Sequence, residues 1–157
     1  RNHAPPRGMA MSAPDITTPL RNALLADASL VSQLPAYLGS VPIFTRRPVP
    51  ANAPYPLLVV SKDINLNDED GIFDWRPVIT RDIAVYNTNE NGNNYGVAAS
   101  IGYTIRNIFH RKKPITVTGW GVTLIQAVGP IDTRIDQDNL TGSVVQLIVR
   151  LSQLRTS

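Results

Sequence analysis

A chain of 157 residues with 43% hydrophobic and 17% charged residues is typical of one globular domain with a buried core. It has no cysteine, which excludes disulfides, thiol catalysis and thiolate metal sites, and its two separated histidines, His3 and His110, exclude a histidine-rich metal site. The formal charge of +3 overstates the charge of the body, because Arg1 and Arg7 precede a segment, 11–157, that carries 13 basic and 12 acidic residues. Such a near-neutral body argues against a dedicated nucleic-acid binder.

The start of the chain, RNHAPPRGMAMSAP, places prolines where a signal peptide has its apolar segment. We expect residues 1–14 to be a disordered leader or an expression remnant, with Met11 as a natural start, and residues 15–157 to form a single domain. The longest apolar run, residues 56–60, has the length of a strand and is far shorter than the ~20 residues that span a bilayer.

The segment after the leader predicts a helix. Thr18 followed by Pro19 is typical of an N-cap and a first helical turn. Apolar residues then recur on one face at helical spacing: Leu20, Ala23, Leu24 and Ala28. A second short turn is predicted to begin at Ser29 and to end before Pro35.

Three strands are predicted around a proline-rich connector. Residues 41–45 (VPIFT) indicate a brief strand, four prolines between 48 and 56 indicate a stiff extended connector, and residues 56–62 (PLLVVSK) indicate a strand buried on both faces. Residues 77–87 (PVITRDIAVYN) alternate in polarity as a strand does. The two predicted faces carry Ile79, Ile83 and Val85, and Thr80, Asp82 and Tyr86, respectively.

The second half of the chain predicts a helix followed by two strands. Asn94 is a suitable N-cap for residues 95–113, and Pro114 ends that helix. The helix carries an apolar stripe made of Ile101, Ile105, Ile108 and Phe109. The last two strands are predicted at 115–129 and 142–154, on either side of the polar stretch 130–141.

This order of elements predicts an α+β fold. Hairpin-like links between consecutive strands favour an antiparallel or mixed β-sheet, and the two amphipathic helices are expected to pack on one face of it.

The acidic segment 63–74, DINLNDEDGIFD, resembles a calcium-binding loop because oxygen-bearing side chains alternate along its first half. An EF-hand loop needs glycine at its sixth position and glutamate at its last, where this segment has Asp68 and Asp74, and its flanks are strands rather than helices. Three interpretations remain: a looser calcium or magnesium site, a solvated loop, and a loop whose residues Asp68, Glu69 and Asp70 contact a partner.

Two basic groups each have two interpretations. Residues 110–113 (HRKK) complement the dipole of the preceding helix or contact phosphates. Arg46 and Arg47 are a simple surface pair or form ion pairs with acidic residues of a neighbouring subunit. The GWG motif at 119–121 predicts a bulge or tight bend with an anchoring indole, with a ligand-stacking Trp120 as the alternative.

No set of residues predicts catalysis. Ser100 and Ser143 lack a suitable histidine partner, and the acidic residues Asp132, Asp136 and Asp138 have no motif around them. There is no phosphate loop or dinucleotide fingerprint. We therefore predict no enzymatic activity, no cofactor and no metal-binding residue.

Four segments together resemble the tail-terminator and tail-completion proteins of long-tailed bacteriophages. They are ITTPLRNALLADASLVSQLP (16–35), APYPLLVVSKD (53–63), WRPVITRDIAVYN (75–87) and GVAASIGYTIRNIF (96–109). The shared features are a leading LLAD helix, a PYP-like entry into a buried strand, and a strand ahead of the second helix. The resemblance covers about residues 15–153, although the acidic segment looks longer here than the family pattern.

The resemblance implies a structural virion protein that is assembled in the host cytoplasm and located in the tail or neck. Six copies would form a ring that caps the tail tube and joins it to the connector of the head, and DNA would pass through without specific binding; no membrane is involved. In such a ring the acidic segment would bear on the tube or line the channel, where carboxylates repel phosphates. The alternatives are a head-closure or neck adaptor protein and, from another class, a small metal- or nucleotide-binding enzyme.

Overall fold

The computed structural model describes residues 14–61, 65–68, 76–88, 95–135 and 140–154. In chain order these form helices α1 (Thr17–Ala26) and α2 (Ala28–Val31), strands β1 (Ile43–Phe44), β2 (Leu57–Val60), β3 (Asn65–Asp68) and β4 (Pro77–Thr88), helix α3 (Tyr95–Phe109), and strands β5 (Trp120–Ile135) and β6 (Leu140–Gln153).

The six strands form one sheet in the order β1-β2-β4-β6-β5, with β3 paired to β4 beyond the end of β2. Strand β1 is parallel to β2, whereas every other pair is antiparallel, so the sheet is mixed. The predicted α+β fold is confirmed.

Helices α1 and α3 lie on one face of the sheet, which we call the helix face. Strand β4 turns Ile79, Ile83 and Val85 toward this face, as its alternation predicts, and these side chains are fully buried. The apolar stripe of α3 packs against them: Ile101, Ile105, Ile108 and Phe109. One continuous core therefore joins the helices to strands β2, β4, β5 and β6.

The first helix begins differently from the sequence prediction. Thr18 is not the N-cap: the backbone N–H of Thr17 donates to the carboxylate of Asp15 over 2.9 Å, and the capping position is Ile16, which makes no side-chain capping bond. Asp15 is held there by Arg81, whose Nη2 lies 3.1 Å from its Oδ1. A residue remote in sequence thus holds the carboxylate that bonds the first turn of the helix.

Two further helix predictions are corrected at Asp27. This residue adopts an extended conformation, and its side chain accepts a hydrogen bond from Leu30 N over 2.9 Å. Helix α2 therefore begins at Ala28 rather than Ser29, and Ala28 is exposed instead of continuing the buried face of α1.

The last hairpin is longer than predicted. Strand β5 continues through the expected polar stretch to Ile135, because the register shift between Val128 and Ile131 absorbs the Gly129–Pro130 dipeptide as a β-bulge. Gly129 has φ +106°, and a Cβ there would lie 2.8 Å from the carbonyl oxygen of Val144. At the other end of β5, Gly119 at φ +83° forms the predicted tight bend, and Trp120 packs partly buried against the core.

Candidate assembly surfaces

On the face of the sheet opposite the helices, which we call the outer face, the described residues cover one half. Here β2 turns Leu57 and Val59 toward the proline-rich connector, which packs on them through Ala53. The partly buried neighbours of this small second cluster are Phe44, Val49 and Tyr86. The buried character of both faces of β2, predicted from its sequence, is confirmed because the helices cover one face and the connector covers the other.

The β5 half of the outer face carries exposed apolar side chains. Leu124, Val128 and Ile131 are 38%, 40% and 56% exposed, while Ile125 and Ala127 of the same strand are buried in the helix-face core. We call Leu124, Val128 and Ile131 the β5 strip. A row of apolar side chains along an edge strand is a surface suited to contact with another protein.

Both edge strands have backbone groups that are already bonded within the chain. On β1, the carbonyl of Ile43 accepts from Arg21 Nε over 3.3 Å. On β5, the carbonyl of Ile125 accepts from Arg111 N over 2.8 Å, and Ala127 N donates to His110 Nδ1 over 3.1 Å. These bonds protect the edges from addition of a further strand at these positions, so contacts there must be made by side chains.

The two arginines of the predicted contact pair, Arg46 and Arg47, have different environments in the structure. Arg47 Nη2 donates to the hydroxyl of Tyr86 over 2.6 Å, and its guanidinium lies 5.3 Å from the centre of that ring, a cation–π contact. Arg46 is exposed, and no hydrogen bond or ion pair joins it to the described residues. Arg47 therefore holds the connector to the sheet, and Arg46 is the arginine available to a partner.

The predicted acidic contact residues are only partly described. Asp68 is the last residue of β3, in register with Pro77 of β4, so a strand occupies part of the segment expected to be a loop. Glu69 and Asp70 lie outside the described residues, and the contact and calcium interpretations of this segment stay predictions. Among the residues that are described, no three His, Cys, Asp or Glu side chains are grouped in a way that could hold a metal ion.

Leu38 is an exposed residue that the sequence reading missed. It lies at the tip of a tight turn closed by backbone bonds between Tyr37 and Ser40, has φ +47°, and is 85% exposed. The turn is held beside β1 by an edge-to-face contact between the rings of Tyr37 and Phe44, whose centroids lie 5.7 Å apart. The sequence feature that could have identified Leu38 is the Leu-Gly pair of YLGS, which places an apolar side chain in a turn that favours glycine.

Two neighbouring charged residues of β4 lie in contrasting environments. Arg81 on the helix face is 2% exposed, and its Nη1 donates to Thr17 Oγ1 over 2.6 Å and to the carbonyl of Ser61 over 2.8 Å. Asp82 faces outward, where burial raises its pKa against the opposing effect of a hydrogen bond from Gln146, and its Oδ1 has no partner among the described residues. Arg81 is therefore fully bonded on the helix face, whereas one carboxylate oxygen of Asp82 on the outer face has no partner among the described residues.

Of the remaining sequence candidates, Ser100, Ser143 and Lys112 make contacts within the chain, whereas Asp136 and Asp138 lie outside the described residues. Ser100 Oγ lies 3.4 Å from Gln33 Oε1, Ser143 is buried at the α3 interface, and Lys112 Nζ donates to the carbonyl of Asn107 in the last turn of α3 over 2.6 Å. The last contact is the predicted complementation of the helix dipole. In the described part of the chain, no helix has both the length and the apolar character needed to cross a membrane.

Comparison with known proteins gives a likeness in structure. No protein-family model matches the chain, and no curated protein matches its sequence. Among solved structures, it is similar to a chain of the virion of a native gene transfer agent particle, with a TM-score of 0.70 and 11% sequence identity. The match covers 88% of this chain and 95% of that one. At this identity the likeness shows a shared fold across nearly the whole length of both chains.

Proposed function

We propose that this chain is a structural virion protein of the tail-terminator type. Copies of it form a ring, of six by analogy with the family it resembles, that caps the finished tail tube and joins it to the connector of the head. The observation that carries this proposal is the near full-length structural similarity to a chain of a gene transfer agent virion. The tail-terminator resemblance of four separate sequence segments supports the position at the end of the tail.

The surfaces of the molecule fit a protein that acts through contacts. The β5 strip exposes apolar side chains whose burial against a partner would be favourable. Arg46 carries a charge with no bonded partner in the described chain. The proposed partners are further copies of the chain, the tail tube protein and the head connector. DNA passes through the ring unbound, with the acidic segment 63–74 facing the tube or the channel.

Deletion of the gene from the locus that encodes the particle tests this role. We expect filled heads and separate tails in electron micrographs of the lysate, with some tubes longer than normal because nothing caps them. Purified protein added to that lysate should restore joining, since a structural subunit acts after its partners have formed. Normally joined particles from the deletion strain would exclude the proposal, and tailless heads that have lost their DNA would assign the chain to the head-closure or neck adaptor class instead.

A further inference from the structure

The two edges of the sheet carry different and complementary side chains. At the β5 edge, the exposed Ile131 is followed by the exposed Asp132, which makes no bond to the described residues. At the β1 edge, the exposed Leu38 follows Tyr37, whose ring packs on Phe44, and Arg46 comes two residues after Phe44. At the level of Phe44 and Ile131, each edge therefore offers one projecting apolar side chain and one charge with no bonded partner among the described residues, and these two charges are opposite.

These two surfaces lie at the same level of the sheet. The strand register links Phe44 to Val59, then to Ala84 and Val144, and finally to Ile131. The adjacent row runs in the same way from Ile43 through Leu58, Val85 and Ser143 to Asp132. A neighbouring copy placed edge to edge thus brings the β1 edge of one molecule level with residues 131–132 of the next.

We infer that copies of this chain associate head to tail, with Leu38 and Arg46 of one copy contacting the β5 strip and Asp132 of the next. A twofold contact centred on Asp132 would bring two Asp132 carboxylates together, and like charges repel. Contact between unlike edges instead pairs Asp132 with Arg46 and covers Leu38. An interface of two different surfaces closes into a ring when its rotation returns to the start.

The contact is one between side chains rather than a shared strand ladder. The edge-facing groups of Ile43, Ile125 and Ala127 are bonded to Arg21, Arg111 and His110 of their own chain. Leu38 supplies the projection that such a contact needs, and its φ of +47° costs backbone energy that a glycine would avoid. This inference rests on the proposed function, because it assigns the contacts that close the proposed ring.

Cysteine pairs test the contact directly, because the chain has no cysteine of its own. Purified Leu38→Cys and Ile131→Cys proteins are mixed and treated with a flexible bis-maleimide, whose reach avoids the strict geometry of a disulfide. We expect cross-linked dimers in the mixture and little product from either variant alone. The double variant should give a ladder of bands ending at the number of copies in a closed ring.

The matched control replaces Ile131→Cys by Tyr103→Cys, which is 57% exposed on α3, on the helix side of the sheet and outside the β5 strip. Equal yields from the two mixtures, or strong homodimer bands from a single variant, would overturn the head-to-tail contact. No product from any mixture at the highest usable protein concentration would overturn it as well.

Substitutions that spare the fold supply a second test. Leu38→Gly relieves the positive φ, so its melting temperature should equal or exceed that of the parent chain, while the association constant measured by sedimentation falls roughly tenfold or more. Arg46→Glu and Asp132→Arg should each weaken association, and their combination should restore it, with Lys113→Glu as the control for net charge. Failure of this charge swap to restore association would contradict the pairing.

The outcomes separate this contact from the proposed function. If Leu38→Gly and Arg46→Glu associate as the parent does, yet deletion of the gene still blocks head–tail joining, the contact is wrong and the function stands. If these variants lose association while deletion leaves joined particles unchanged, the contact stands and the function is wrong.

Discussion

Two adjacent charged residues of β4, Arg81 and Asp82, point to opposite faces of the sheet and differ in how completely they are hydrogen-bonded. Arg81 on the helix face is almost fully buried, yet it is bonded to Asp15, Thr17 and Ser61. Asp82 on the outer face has an unbonded oxygen among the described residues and a raised pKa. The bonds of Arg81 stabilise the monomer, whereas the exposed apolar side chains of the β5 strip leave the outer face available for assembly.

The largest effect should separate two neighbouring residues of β5. Ile125→Ala removes a fully buried side chain from the helix-face core and should lower the free energy of unfolding by about 2–5 kcal/mol. Leu124→Ala removes a side chain of similar size that is 38% exposed on the outer face, and we expect a loss well below that of Ile125→Ala. Urea denaturation at a concentration where the protein is monomeric measures both. Equal losses would mean that the outer face contributes to monomer stability as the core does.

The sequence predicted the faces better than the boundaries. The alternation of Ile79, Ile83 and Val85 identified the helix face of β4, because a strand with two different environments must repeat every second residue. The predicted strand ended at residue 129, but β5 continues through a bulge that accommodates Pro130, and such a bulge depends on the opposite strand β6. Local signals also failed at Thr18, because Asp15 bonds the first turn of α1 instead and is held by Arg81, 66 residues away in β4.

The sequence identified some residues of the candidate surfaces, but not how those residues are arranged. Arg46 and Arg47 stood out as a pair, but their separation into a free and a bonded arginine depends on Tyr86, which is distant in sequence. Asp132 carried no motif, and its significance arises from the strand register that places it level with the β1 edge. Which residues of the two sheet edges lie level with each other depends on the topology of the sheet, and it cannot be predicted from hydrophobic periodicity along the sequence.

A smaller effect should distinguish the two sides of α3. A Cβ at Gly102 would lie 2.6 Å from Pro130 Cβ and 2.9 Å from Ser143 Oγ, so Gly102→Ala should destabilise the protein by about 1–3 kcal/mol despite the higher helix propensity of alanine. Nothing lies within 4 Å of a Cβ at Gly96, and Gly96→Ala should stabilise the same helix by up to about 1 kcal/mol. Thermal denaturation of both variants gives the comparison. A stabilising Gly102→Ala would show that α3 does not approach the bulge of β5 so closely.

The smallest effect is a dependence on pH that has opposite signs for the two carboxylates. Hydrogen bonds from the Thr17 hydroxyl and amide, with a further contribution from Arg81, lower the pKa of Asp15, whose ordinary value is 3.8. Its ionised form therefore stabilises the fold above that value, and this stabilisation is lost as the pH falls through the lowered pKa. Asp15→Asn should reduce the melting temperature at neutral pH, and the difference should disappear in acid.

Asp82 should behave in the opposite way, because burial raises its pKa above the ordinary 3.8. The fold then favours the protonated carboxyl, so the contribution of Asp82 to stability falls as the pH rises from 3.8 through the raised pKa. Asp82→Asn, which keeps the shape and removes the charge, should raise the melting temperature at neutral pH and have little effect below pH 3.8. Melting curves of both variants and the parent across this range measure the two signs. A lower melting temperature for Asp82→Asn at neutral pH would mean that the ionised carboxylate is satisfied on the outer face, and the contrast between Arg81 and Asp82 would not hold.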